Sequence, residues 1–185
     1  NISKFTQKSI QAVNDLEKLA YEYGNQEIEQ EHLLYSLLTI DDSLILKLIE
    51  KMGITKETMM NRVEELLRKR PKVQGGQMYI GQNLNNVLIH GEDEAKQMGD
   101  EYVSVEHLFL ALLKYANREI KGMMKELGIT RESFLQVLSS VRGNQRVTSD
   151  NPEATYDTLN KYGEDLVEKA REQKLDPVIG RDAEI

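Results

Sequence analysis

Two acid–base pairs are the first residues in this chain that could do chemistry: Glu31-His32 and Glu106-His107. A carboxylate beside an imidazole can pass protons or contribute to a metal site. Neither chemistry is completed. There is no HExxH, and the chain holds 3 histidines in all, the third being His90. It has no cysteine, which removes thiolate metal sites and disulfides. Thr6 and the serines lack a GxSxG or SxxK setting, so capping is their expected work. Gly75-Gly76 and Gly81 belong to no GxxxxGK[ST] run, so there is no Walker A and no unaided ATP hydrolysis. The carboxylate runs Asp41-Asp42, Glu64-Glu65 and Glu92-Asp93-Glu94 fall in turns and on polar helix faces, where solvated charge is their default role. The reading is a chain that is not an enzyme and has no metal or cofactor of its own.

The two pairs are more informative for their spacing than for their chemistry. They recur at a shift of 75 residues, without a gap. Ala20 maps to Ala95, Gly24 to Gly99, Ile45 to Ile120, and Gly53-Ile54-Thr55 to Gly128-Ile129-Thr130. Between positions 20 and 57 there are 12 identical pairs, far above chance and the mark of an internal repeat. The leucines behind each pair, Leu33, Leu37 and Leu38 and their counterparts, face a core. Each histidine is therefore expected to be a helix-start residue bonding a backbone or carboxylate group.

The elements that must hold these residues follow from periodicity. Ile10, Val13, Leu16, Leu19, Ala20 and Tyr23 predict one amphipathic helix over 4–23, with Thr6 as its cap. Helices follow at about 30–39, 44–52 and 55–70, the last two capped by Ser43 and Thr55. Glu29 stands where copy two has Ser104, so the cap of the second helix is expected to be weaker in copy one. Copy two repeats the set at about 82–98, 105–116, 119–127 and 130–142. Gly91 replaces Leu16, so His90-Gly91 is expected to mark a thin place on that helix. Met52, Met59-Met60, Met98 and Met123-Met124 read first as core filling, with an adaptable binding surface as the alternative.

The chain has 185 residues, 39 % of them hydrophobic, with no Trp. Two half-size units sharing one interface suit that supply. The net charge is −7, from 24 basic and 31 acidic residues, which argues against nucleic acid and anionic membrane as partners. No apolar run approaches membrane-spanning length, the N-terminus lacks a signal-peptide pattern, and a cytoplasmic location is expected. With no initiator Met at position 1, a trimmed start is expected.

The expected fold class is all-α: two tandem four-helix repeats packed as a pseudo-dimer, then a linker and an isolated C-terminal helix. The domain spans 1–143, with repeat one at 1–72 and repeat two at 77–143. Residues 144–155 read as a polar linker nearly free of core residues. The segment 156–185 reads as the incomplete start of a further unit, with a helical pattern over 153–173.

The doubled pattern A-x-x-x-G, then E-H-L, then G-I-T resembles the Clp N-terminal repeat family of AAA+ chaperones. Pro71-Lys72-Val73-x-Gly75 and Arg142-Gly143-x-Gln145-Arg146-Val147-Thr148, with Pro152-Glu153, are similar to its disaggregase branch. The closing run Leu175-Asp176-Pro177-Val178-Ile179-Gly180-Arg181 resembles the lead-in to that family's first ATPase module. The resemblance implies a domain that engages unfolded or aggregated protein and serves a hexameric ring, the full-length parent using ATP with magnesium. It implies a substrate groove between the first helices of the two repeats, at Val13, Leu88, His90 and His107, with a polar rim at Thr6, Asp100 and Glu106. Val178 and Ile179 match residues beside the nucleotide in the parent. The alternative it leaves open is an adaptor-docking domain of a protease-coupled unfoldase.

Overall fold

The helix that opens copy one is broken. In the computed structural model, which describes residues 4–152, the stretch read as one helix is two: α1 (Gln7–Asn14) and α2 (Leu16–Glu22), meeting at Asp15. Its counterpart α6 (Gln82–Gln97) is continuous. Gly91 supplies the reason. A Cβ there would lie 3.1 Å from both Leu108 and Val103, so glycine lets α6 settle closely on the next helix. Position 91 is thus a tight internal contact and not a thin place on the surface. Copy one puts Leu16 at the same point, buried, and the helix breaks one residue before it.

The remaining helices follow the repeat. Copy one has α3 (Gln30–Thr39), α4 (Leu44–Lys51) and α5 (Lys56–Lys69). Copy two has α7 (Val105–Lys114), α8 (Arg118–Leu127) and α9 (Arg131–Arg142). Thr6, Ser43, Thr55, Asn117 and Thr130 each accept a backbone N–H three residues on, which satisfies a helix-start donor. Ile54 and Ile129 precede two of these caps, and Met59 and Phe134 are buried four residues inside the helices they open.

The second helices, α3 and α7, are buried along nearly their whole length and pack on each other. Around them α4 packs on α7 and α9, and α5 on α8, so both copies share one core. Two short parallel strands, β1 (Glu27–Ile28) and β2 (Tyr79–Ile80), join the copies, with Ile28 opposite Ile80. The mirrored bridge pairs Phe5 with Val103. The hydrogen bonds repeat the symmetry: Gly81 N–H donates to Ile28 O at 2.8 Å, and Thr6 N–H to Val103 O at 3.0 Å. Each copy's first helix therefore starts from the strand ahead of the other copy's second helix. Two-residue strands carry no readable alternation, which is why periodicity misses them.

The segment after α9 departs from the expected loose linker. Val147 is fully buried, Glu101 N–H donates to its carbonyl at 2.8 Å, and Gln7 N–H donates to Asp150 O at 2.7 Å. The chain is fastened to the domain as far as Asp150. The helical pattern at 153–173, and Val178 and Ile179, lie outside the described residues.

Candidate binding surfaces

The two Glu-His pairs are interior. His32, His107, Glu31 and Glu106 are all fully buried at the starts of α3 and α7. His32 Nδ1 accepts the Glu29 N–H at 2.9 Å, and its Nε2 lies 2.9 Å from Asn25 Oδ1. His107 Nδ1 accepts the Ser104 N–H at 2.9 Å, and its Nε2 lies 2.6 Å from Asp100 Oδ2. Each imidazole thus closes a capping box and ties the helix start to the preceding turn. Burial, with the nearby Arg70 guanidinium, pushes the His32 imidazole down to about 4, so this ring is neutral at ordinary pH. Among the described residues no group of His, Asp and Glu is placed to hold a metal ion.

The residue beside each histidine differs in polarity but does one job. Asn25 donates its amide N–H to Pro71 O at 3.0 Å, holding the chain that leaves α5. Asp100 accepts the Val147 N–H at 2.9 Å, holding the chain that leaves α9. Asp100 also pairs with Arg142, whose other nitrogen reaches Glu106 at 3.3 Å. Burial works to raise the Asp100 carboxyl, but the bonds from His107, Val147 N–H and Arg142 hold it below its usual value. In copy one Arg70 plays the cation, bonding Glu31 at 3.2 Å and Glu27 at 2.7 Å from a less enclosed position.

Four members of the expected groove therefore need correction. Thr6, Glu106 and His107 are 0 % exposed, and the Asp100 side chain is likewise enclosed. Thr6 caps α1, and the other three form the network just described. None offers a free polar rim. Val13 on α1 and Leu88 on α6 do remain partly exposed over the core, and Ile89 beside Leu88 is 55 % exposed. His90 is partly exposed. It bonds Asp93 at 2.8 Å and stacks on Tyr115, ring centres 4.4 Å apart, at the end of its own copy's second helix.

Three structural residues escape sequence reasoning. Glu29, expected as a weak cap, caps two helices. Its carboxylate accepts Gln30 N–H at 2.9 Å in α3 and Asn83 N–H at 3.2 Å in α6. The α6 cap position is Gly81, which has no side chain, and a Cβ there would fall 2.0 Å from Glu29 Oε2. The carboxylate thus occupies the space that a capping side chain would use. Burial raises the Glu29 carboxyl, partly offset by the Gln30 N–H. Gln30, fully buried, donates to Asn83 O and Tyr115 O at 3.0 and 2.8 Å and accepts Asn117 N–H at 2.7 Å. It joins three elements of copy two to copy one. Arg142 is the third. Its charge had no visible partner in sequence because Asp100 lies 42 residues away.

Among the clefts outside the expected groove, two adjoin copy two. One, of about 390 Å³, sits at the seam between copies and is lined by Glu31, Lys69, Arg70, Asn83, Asn117 and Arg118, a mixed-charge wall. The other, of about 470 Å³, lies within copy two. Leu113, Met124 and Ile129 form its floor, with Lys114, Lys121, Lys125 and Arg131 around it.

The described residues form a mainly helical, internally doubled domain with surface clefts. The comparisons give the family. The Clp repeat (R) N-terminal domain matches residues 4–127, and the chain belongs to that family. Across its full length it is 48 % identical, over 191 residues, to the chaperone protein ClpB of Nitratidesulfovibrio vulgaris strain Hildenborough. It is 40 % identical over 190 residues to ClpB of Bacillus anthracis. The chain spans 22 % of the length of each of these relatives. Among solved structures, the Hsp104 N-terminal domain of Candida albicans matches with a TM-score of 0.71 at 24 % identity, covering 81 % of this chain and 99 % of that one. A ClpV N-domain solved in complex with a VipB peptide matches at 0.60 and 21 % identity, covering 82 % and 91 %. The chain thus carries a Clp repeat N-terminal domain. Among its described residues no helix is long and apolar enough to cross a membrane.

Proposed function

We propose that this domain is the substrate-recognition module of an ATP-dependent protein-disaggregating chaperone, taking up exposed apolar segments of unfolded or aggregated proteins. The observation that carries the reading is the 48 % identity to ClpB along the whole chain. The partly exposed Val13, Leu88 and Ile89 support it by offering apolar surface on the first helices of both copies. A VipB peptide on the ClpV N-domain is a property of that protein. It lends support only by its shared fold. In this reading the hexameric ring, with its ATP and magnesium, belongs to the parent. The domain captures clients reversibly and passes them on.

The physical basis is burial of a small apolar area, at roughly 25 cal/mol per Å². Set against the cost of association, a shallow surface of this kind gives affinities of about tens of micromolar. Titration of the isotope-labelled chain with a permanently unfolded protein, such as reduced and carboxymethylated lactalbumin, tests it. Amide shifts should cluster at Val13, Leu88 and Ile89, and Leu88→Asp should weaken binding about tenfold. An absence of shifts at these positions overturns the assignment.

A further inference from the structure

The cleft in copy two has a feature that the repeat itself exposes. Its floor is apolar, and no acidic side chain lines it. Shifted back by 75 residues, the floor keeps its character: Leu113, Met124 and Ile129 correspond to Leu38, Ile49 and Ile54. The rim does not. Lys114, Lys121 and Lys125 correspond to Thr39, Leu46 and Glu50, while Gln97 and Ala116 correspond to Glu22 and Asp41. At the equivalent positions copy one thus carries Glu22, Asp41 and Glu50 beside Lys56, where copy two carries Lys114, Lys121 and Lys125 beside Arg131. The basic rim follows from nothing that the fold requires.

Most of this charge also stands outside salt bridges. Arg131 is committed to the buried Glu94, at 2.6 and 3.2 Å. Lys114, Lys121 and Lys125 are exposed and form no salt bridge among the described residues. The acidic residues of α8 do not answer them. Glu126 pairs with Arg62 of α5, and Glu119 lines the seam cleft. Three exposed lysines, none in a salt bridge among the described residues and Lys114 over the Tyr115 ring with Asp93 nearby, stand around an apolar floor in a chain of net charge −7. Such a site attracts an anion by its field and holds an apolar group by burial. About 470 Å³ falls within the roughly 300–1,000 Å³ range of pockets that enclose a compact ligand.

We propose that this cleft is a docking site for an acidic peptide segment that carries an apolar anchor side chain. The anchor sits on Leu113, Met124 and Ile129, and carboxylates on either side of it pair with Lys114, Lys121 and Lys125. The site is distinct from the surface proposed above. Leu88 precedes Gln97, at the edge of the cleft, by nine residues of α6, about 13 Å along a helix axis. The inference rests on the cleft alone, and it stands or falls separately from the capture of unfolded protein.

The test uses the full chain and three labelled hexapeptides read by fluorescence anisotropy. The first is Asp-Glu-Leu-Phe-Glu-Asp, the second has Asn and Gln for the acids, and the third has Lys for the acids. The acidic peptide should bind about tenfold more tightly than the neutral one at low salt, with the preference fading as salt screens exposed pairs. The basic peptide should bind weakest. The double change Lys121→Glu with Lys125→Glu touches only exposed side chains. It should weaken the acidic peptide about tenfold while leaving the melting temperature and the response of Leu88 to unfolded lactalbumin unchanged. Equal binding of the acidic and neutral peptides overturns the proposal, as does wild-type affinity in the double variant. Competition by single-stranded DNA or by phosphatidylserine vesicles at equal charge concentration also overturns it, because the site would then read charge and not a peptide. Loss of lactalbumin binding with the peptide result intact would sink the capture reading and leave this one standing.

Discussion

The starts of α3 and α7 are one device built twice with different chemistry. In copy one a neutral amide, Asn25, receives the histidine and donates to the departing chain. In copy two a carboxylate, Asp100, receives the histidine and accepts from the departing chain. The geometry is kept and the charge is not. The carboxylate needs a buried cation, and Arg142, 3 % exposed, supplies it. The amide needs none, and Arg70 stands further out, with its side chain 17 % exposed. Copy two therefore depends on an ion network enclosed on both sides, and copy one on neutral hydrogen bonds with an ion pair whose acid is buried and whose cation is partly exposed. Burial sets the consequence, because an ion deprived of its partner costs far more inside than near water.

The largest expected effect probes that difference directly. Arg142→Met leaves Asp100 and Glu106 buried without their cation and should lower stability by about 3–5 kcal/mol. Arg70→Met leaves the buried Glu31 with only the Asn117 amide and frees the more open Glu27, so it should cost less, about 1–3 kcal/mol. Urea unfolding of the two variants checks this, and equal losses would break the comparison.

Acid should act on both copies. His32, at about 4 when folded, is depressed below its ordinary value of about 6.5. Its contribution is full above pH 6.5 and is lost as pH falls from there towards 4, on the order of 3 kcal/mol at most. Asp100, also depressed, contributes above its ordinary carboxyl value and loses that stability at still lower pH. Unfolding midpoints at pH 7, 6 and 5 should therefore fall steadily. His32→Gln, which cannot titrate, should flatten the slope between pH 7 and 5.

The third test exchanges the two cap designs. Gly81→Thr places a side chain where the Glu29 carboxylate sits and should cost about 1–3 kcal/mol. Adding Glu29→Ser recreates the combination of residue types that the fold has at the equivalent positions, Thr6 and Ser104, and should return much of the loss. A double-mutant cycle measures the coupling, and simple additivity would separate the two positions.

The smallest effect has the opposite sign. Gly122 lies within α8, where a Cβ would meet nothing within 4 Å. Gly122→Ala should raise stability by about 0.5–1 kcal/mol, read as a higher melting temperature. The equivalent residue of copy one, Lys47, already has a side chain, so the gain is specific to copy two.

Much of this architecture is legible in the chain because local rules and the repeat agree. The 75-residue shift, the leucine periodicity and the capping residues place the helices, apart from the break at Asp15, with the Glu-His pairs inside them. Helix position depends on neighbours three and four residues away, which a linear text displays. The site was less legible. Val13 and Leu88 are partly exposed, whereas Thr6, Asp100, Glu106 and His107 are buried and bonded within the domain. A polar residue at a helix start can face water or an interior network, and sequence spacing does not distinguish the two.

What the sequence determines by itself is therefore the doubling, the all-helical class and the absence of cysteine or Walker A chemistry. The tertiary structure alone decides the partners. Glu29 caps α6 across 54 residues, Arg142 reaches Asp100 across 42, and Gln30 bonds Asn117 across 87. It also decides that the lysines around Leu113, Met124 and Ile129 surround one cleft. The physical reason is common to all of these: charge pairing, capping and burial are properties of distance in space, which only the packed copies set.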